Sequence, residues 1–237
     1  MIYEIARLRI DVQSRYKYDE IAWKDYISTN QSTDGVAFSV SVTDDELARE
    51  ERHGEPDSYV ESICLCRAIS ARLPLFDRSL LHGAVIAIGE KAYMFVGRSG
   101  AGKSTHARLW QKYVPDAYVL NGDKPVVERT KNGFYMHGTP WMGKEGLGVN
   151  TSAKLEGFLF IRQAKENAVS ALSRNEFTER LLSQIYLPKT GAAALAMLDI
   201  ADGLVNGVPA YVLDCDISRD AVALSYRALT GESLPEN

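Results

Sequence analysis

The strongest constraint on this chain is the stretch Gly97-Arg98-Ser99-Gly100-Ala101-Gly102-Lys103-Ser104-Thr105, which satisfies the phosphate-loop pattern G-x-x-x-x-G-K-[ST] at every fixed position. Its flanks supply the setting the pattern requires. An apolar run, Ala92-Tyr93-Met94-Phe95-Val96, enters the loop, and the helix-compatible His106-Ala107-Arg108-Leu109-Trp110 leaves it. The three glycines allow successive backbone N–H groups to converge on phosphate oxygens, and the following helix contributes its positive N-terminal end. Lys103 supplies a mobile cation for the β- and γ-phosphates. The Ser104 hydroxyl is placed to ligate Mg²⁺, with Thr105 beside it. The expected ligands are therefore a triphosphate group and Mg²⁺, with the whole 97–105 loop around the phosphates.

The rest of the chain has the balance of a folded soluble protein: 237 residues, 46% hydrophobic and 24% charged, with a formal net charge of −4. The absence of a long basic run argues against a general electrostatic grip on nucleic acid or an anionic membrane. The N-terminus carries charges at Glu4, Arg7, Arg9 and Asp11 in place of the apolar core of a signal peptide, and no apolar run approaches a membrane span. Cys64, Cys66 and Cys215 are too few and too irregular for a disulfide framework or a four-ligand zinc site. A reduced, cytoplasmic setting is expected, with self-association left open.

Taken in order, Ile5, Leu8, Ile10 and Val12 suggest one strand and residues 36–42 another, joined through the polar segment 30–35. Thr43 and Glu46 form a capping box that should start a charged helix ending near Gly54, with the segment through Arg52 and His53 on its solvated face. Residues 59–75 predict a second helix with Val60, Ile63, Cys64, Ala68 and Leu73 on one side. The apolar run 80–88, interrupted by His82, is separated from the strand entering the phosphate loop by only Gly89-Glu90-Lys91. A connection that short demands an antiparallel hairpin, since a parallel crossover needs a dozen residues or more. Residues 117–120 predict a strand ending in Asn121-Gly122-Asp123-Lys124-Pro125, and an acidic residue there is the natural second metal ligand, Asp123. Lys131-Asn132-Gly133 marks a hairpin. The loop 138–146 holds Trp141, Lys144 and Glu145 among glycines and, with Lys124, offers candidate contacts to a phosphate acceptor. A buried strand is expected at 155–161, helices at 178–186, 192–199 and 218–229, and a strand at 210–213. The expected organisation is a single domain, with 1–75 a strand-rich extension and 76–237 the nucleotide-binding core.

The segment from His82 to Asn150 resembles small proteins related to HPr kinase/phosphorylase, within the group sharing the nucleotide fold of ATP-dependent phosphoenolpyruvate carboxykinase. The resemblance rests on His82-Gly83 before a hairpin, the 97–105 loop, and the acidic motif Asn121-Gly122-Asp123 after the next strand. Gly138-Thr139-Pro140-Trp141 and 155–161 add to it. It covers about the middle third of the chain. It implies an α/β fold with a mixed sheet and an ATP- and Mg²⁺-dependent phosphotransferase, in which the histidine and an Asp-Asp pair lie near the γ-phosphate. Here the first member of that pair is Gly122, which leaves Asp123 for the metal and His82, Asp123 or Glu145 for the acceptor proton.

The expected function is transfer of the γ-phosphate to a hydroxyl of a protein, peptide or small molecule, with His82, Lys103 and Asp123 carrying the chemistry. The alternative is a regulatory nucleotide-binding protein with little or no hydrolysis, for which Gly122 is the support. Carboxykinase-like decarboxylation of oxaloacetate lacks a second half of the chain to hold the organic acid.

Overall fold

A computed structural model of the chain describes residues 1–50, 54–189 and 191–236. Two sheets carry the architecture: a three-stranded N-terminal sheet and a nine-stranded mixed sheet.

The N-terminal sheet begins with β1 (Ile2–Ile5) and β2 (Leu8–Gln13), antiparallel with Ile5 opposite Leu8. The sequence suggests one strand over this stretch because no glycine or asparagine marks a turn. Ala6 and Arg7 nevertheless make the turn, both at positive φ (49° and 61°). A tertiary tie holds that conformation: the Arg7 guanidinium donates to Glu128 Oε2 at 3.2 Å and to Ser152 Oγ at 3.1 Å. After the short helix α1 (Tyr18–Ala22), β3 (Phe38–Ser41) pairs in parallel with β2. The Thr43–Glu46 capping box is present and starts α2 (Asp44–Arg49), which stops well before Gly54. Arg52 and His53 lie outside the described residues. The next helix, α3 (Asp57–Ser70), is followed by a separate 3-10 turn at Leu73–Phe76, where Pro74 breaks the continuous helix expected to 75. Cys64 and Cys66 are buried free thiols.

In the large sheet, β4 (Arg78–Leu80), β8 (Val126–Thr130), β9 (Gly133–His137), β10 (Ser152–Gln163), β6 (Lys91–Val96), β5 (Ala84–Ile88) and β7 (Ala117–Asn121) lie in that spatial order. The strands β11 (Ala168–Ala171) and β12 (Ala210–Cys215) extend it beside β10. The β5–β6 hairpin is antiparallel as its short connection requires, with Ile88 opposite Lys91. β6 in turn runs parallel to β10, so the strand feeding the phosphate loop is covered on both edges. Both faces of the sheet are buried as well, which explains the near-continuous apolar runs. Val85, Ala87, Met94, Val96, Phe158 and Phe160 point into one cluster, completed by α5 (Arg174–Leu182) and α6 (Gly191–Gly207) through Phe177, Leu181, Met197, Ile200 and Leu204. The alternate residues Ala84, Ile86, Tyr93, Phe95, Leu159 and Ile161 meet α4 (Lys103–Tyr113) and α7 (Arg219–Thr230) on the other side.

Two later helices also differ from expectation in their bounds. α5 starts at Arg174 because Ser173 and Glu176 form a second capping box. α6 runs through Gly203, whose missing side chain makes room for Phe134: a Cβ there would lie 3.0 Å from Phe134 Cζ.

α4, which carries the loop lysine, is pinned to α7 by one hydroxyl. Trp110 Nε1 donates to Ser225 Oγ at 2.9 Å and His106 Nε2 lies 2.9 Å from the same atom, all three side chains being buried. Burial pushes the His106 imidazole down to about 4, so it stays neutral. Ser225→Ala leaves two buried ring nitrogens without their partner and is expected to cost about 3 kcal/mol, since each stranded group costs roughly 1–3. Urea unfolding measures this directly, and a loss below about 0.5 kcal/mol would show that the hydroxyl does not anchor the helix.

Candidate active site

β6 ends at Val96 and the chain passes through residues 97–102 into α4, the strand–loop–helix order that the motif requires. Gly100 and Gly102 have φ of 78° and 100°, and Gly102 is the helix N-cap. Any other residue type would be strained at these two positions. Gly97 is needed for a different reason: a Cβ there would sit 3.0 Å from Ala101 Cβ and 3.1 Å from the Ile161 carbonyl of β10. Gln163, at the end of β10, donates from Nε2 to the Gly100 carbonyl at 2.9 Å and holds the loop crest to the sheet.

Lys103 Nζ lies over the loop, donating to the carbonyl oxygens of Gly97 at 2.8 Å and Arg98 at 3.3 Å. Its pKa is lowered by burial, against the pull of Asp123. Lys103 and Asp123 line the same cavity.

Asp123 stands just past β7, where the chain turns around the fully buried Asn121. Asn121 Oδ1 accepts from the backbone N–H groups of Asp123 (3.0 Å) and Lys124 (2.9 Å), while Nδ2 donates to the carbonyl of Thr139 (3.0 Å) and to its hydroxyl (3.1 Å). One saturated amide therefore fixes the Asp123 turn against the 138–148 loop. Asn121 belongs to the acidic motif in sequence, but its clamping role needs the fold to show it.

His82 reaches the same place from the entry of β5. Its backbone N–H donates to the Gln184 carbonyl at 3.0 Å, and its Nε2 lies 3.4 Å from Asp123 Oδ1. Lys124 occupies the other carboxylate oxygen, Oδ2. Burial lowers the His82 pKa, Lys103 and Lys124 lower it further, and Asp123 opposes them. The imidazole is thus held neutral at physiological pH, the form that can accept a proton.

These groups share one cavity of about 920 Å³. Ser99, Gly100, Gly102, Lys103, Ser104 and Thr105 line it together with His82 and Asp123. Gly97, Arg98 and Ala101 do not; Gly97 instead packs beneath the loop. The candidate acceptor contacts Lys124, Trp141, Lys144 and Glu145 all line it as well, with different freedoms. Glu145 is paired with Arg108 of α4 at 3.0 Å. Trp141 packs edge-on against Trp23, with centroids 5.4 Å apart at 82°, so its ring belongs to the N-terminal core as much as to the cavity.

The surroundings of Gly122 leave no room for a side chain. A Cβ on Gly122 would lie 3.0 Å from the Met142 carbonyl and 3.2 Å from that of Leu147. The 138–148 loop closes against the backbone where a second carboxylate would begin, and Gly122 N donates to Leu147 O at 2.9 Å.

For Mg²⁺ the donor chemistry fits: Asp123 and the Ser104 hydroxyl both line the cavity and offer the hard oxygen ligands that such an ion takes. Among the described residues no cluster of three or more His, Cys, Asp or Glu side chains forms a self-sufficient metal site. No described helix is long and apolar enough to cross a membrane.

No family profile matches the chain, and no curated protein matches it either. Among solved structures it is similar to the Hpr(Ser) kinase/phosphatase from Coxiella burnetii, at 10% identity over 65% of this chain and 88% of that one, with a TM-score of 0.36. A likeness at that level leaves the functional reading to the chain's own residues.

Proposed function

We propose that this protein is an ATP- and Mg²⁺-dependent kinase that transfers the γ-phosphoryl group to an acceptor hydroxyl. The observation that carries this is the meeting of six loop residues between Ser99 and Thr105 (all but Ala101) with His82 and Asp123 in one cavity, with His82 Nε2 3.4 Å from the carboxylate. The loop amides and Lys103 hold the triphosphate. Ser104 and Asp123 are the groups that hold Mg²⁺, which when bound neutralises phosphate charge. In the transfer the acceptor oxygen forms a bond to the γ-phosphorus, the bond from that phosphorus to the β,γ-bridging oxygen breaks, and ADP leaves with the electron pair. His82, neutral and beside Asp123, takes the proton released by the hydroxyl. Positioning and charge compensation supply most of the rate in such chemistry, so a single carboxylate suffices.

With γ-labelled ATP and panels of hydroxylated small molecules and serine peptides, Asp123→Asn is expected to lower transfer at least about 100-fold, with ATP affinity far less affected. The acid limb of the wild-type rate profile should fall below the usual histidine pKa, because the environment depresses that of His82, and His82→Gln should remove that limb.

The second reading, a regulatory protein that binds nucleotide without transferring phosphate, has one observation in its favour, the loop carbonyls filling the space beside Gly122. Tight ATP binding with no transfer to any acceptor would decide for it.

A further inference from the structure

The cavity is lined by more than the phosphate loop: residues on and beside α1 and on α3 contribute to its wall. Asp123 and Lys124 line it beside the loop, and Ser62, Cys66 and Arg67 of α3 line it with Tyr18 of α1. Tyr18 of α1 and Tyr59 of α3, edge to face with centroids 6.0 Å apart, join Ile63 and Tyr186 on that side.

Its chemistry is specific. Among the described lining residues are four cations, Arg67, Lys103, Lys124 and Lys144, and two carboxylates, Asp123 and Glu145. Glu145 is matched by Arg108 and Asp123 by Lys124, while Arg67 of α3 brings a guanidinium to a wall that Tyr18, Tyr59 and Ile63 make aromatic and apolar. Arg67 carries most of this meaning. Its guanidinium is about half exposed (51%), while its partner Glu50 is largely covered (16%) and does not line the cavity. One edge of the guanidinium is anchored by Glu50, leaving the ion able to present donors to a ligand anion.

We propose that the part of the cavity walled by α1 and α3 is the acceptor site, and that it takes a hydroxylated carboxylate with an apolar or aromatic body whose carboxylate binds Arg67. The assignment rests on the kinase reading, since it is the transferring phosphate that makes a second compartment an acceptor site. A volume of about 920 Å³ lies near the top of the range for small-molecule pockets, room enough for a nucleotide and a modest second ligand together.

The test uses the full chain saturated with ADP and Mg²⁺, titrated calorimetrically with 3-phenyllactate and with its uncharged amide. Wild type should bind the carboxylate at least about tenfold more tightly than the amide, the scale of one charge-assisted hydrogen bond. Arg67→Gln should bring the ratio to one, whereas Glu50→Gln, which frees Arg67 from its anchor, should raise it. A merely structural ion pair would move both variants in the same direction, and that result overturns the proposal. So does a wild-type ratio of one, or no binding of either probe at millimolar concentration. The ADP-dependent rise in melting temperature, read in the same samples, separates the two levels: its absence removes the nucleotide assignment, and its presence without a carboxylate preference removes only the acceptor assignment.

Discussion

Lys103→Ala is expected to abolish the rise in melting temperature that ATP with Mg²⁺ gives the wild-type protein. A ligand selective for the folded state at 100 times its Kd stabilises by about 2.7 kcal/mol. For a chain of this size that corresponds to about 5–10 °C. The Lys103 ammonium is the one cation inside the 97–105 loop close enough to the glycine-rich turn to bond the carbonyls of Gly97 and Arg98, at 2.8 and 3.3 Å. Charge-assisted bonds from such a group to phosphate contribute about 1.5–3 kcal/mol each, so losing two weakens binding by about 100-fold or more. Without nucleotide the variant should keep the wild-type melting temperature within a few degrees, because both lost contacts are to partly exposed loop carbonyls. This separates a binding defect from a folding defect. A wild-type protein that millimolar ATP and GTP both leave unshifted has no functioning phosphate loop. Equal shifts in wild type and variant would mean that Lys103 does not face the phosphates.

The loop was legible in sequence because its requirements are local: two positive-φ glycines, an incoming strand and an outgoing helix, all within about fifteen residues. The β5–β6 hairpin is legible for the same reason, since a connection as short as Gly89-Glu90 leaves only one geometry. The meeting of His82, Lys103 and Asp123 was anticipated by order along the chain, but the distance that joins His82 to Asp123 depends on β5 pairing with both β6 and β7. What escaped the sequence depends on distant partners. The turn at Ala6-Arg7 lacks turn residues and is held by Glu128 and Ser152. The glycines of α6 look like a helix end until Phe134 is seen packed on Gly203. The Ser173–Glu176 capping box, by contrast, was available in sequence and would have moved the start of α5 from 178 to 174. Trp141 sits among glycines in sequence, and its edge-on contact with Trp23, which also lines the cavity, is visible only in the fold. The enclosure of the cavity by that extension had no local signature at all.

The same extension should make the protein's stability depend on pH through one residue, Asp19. This carboxylate on α1 is fully buried, and neither oxygen has a hydrogen-bond partner of ordinary geometry. Burial pushes its pKa up to about 7; the nearby Ser62 hydroxyl pulls the other way, and the buried Glu61 adds repulsion. Glu61 is itself occupied, accepting from the backbone N–H groups of Arg15 and Tyr16. The acid is thus protonated more readily folded than unfolded, so between about pH 4 and pH 7 the folded state binds more protons. Stability then falls as pH rises through that window and levels off above it. A displacement of roughly three pH units at 1.36 kcal/mol each sets the scale at about 4 kcal/mol. Asp19→Asn keeps the shape and removes the titration. Urea unfolding from pH 4 to 8.5 should show the wild type losing stability relative to the variant across the window, with the variant more stable at pH 8 by about 2–4 kcal/mol. Parallel curves would mean that Asp19 ionises in the folded protein as freely as in the unfolded chain. Because Tyr18, Ala22 and Trp23 on and beside α1 line the cavity, and α1 packs on α3, the charge that forms above pH 7 presses on the seam between the two helices that wall the proposed acceptor site. Looser acceptor binding at high pH in the wild type, absent from Asp19→Asn, is the functional counterpart of the same titration.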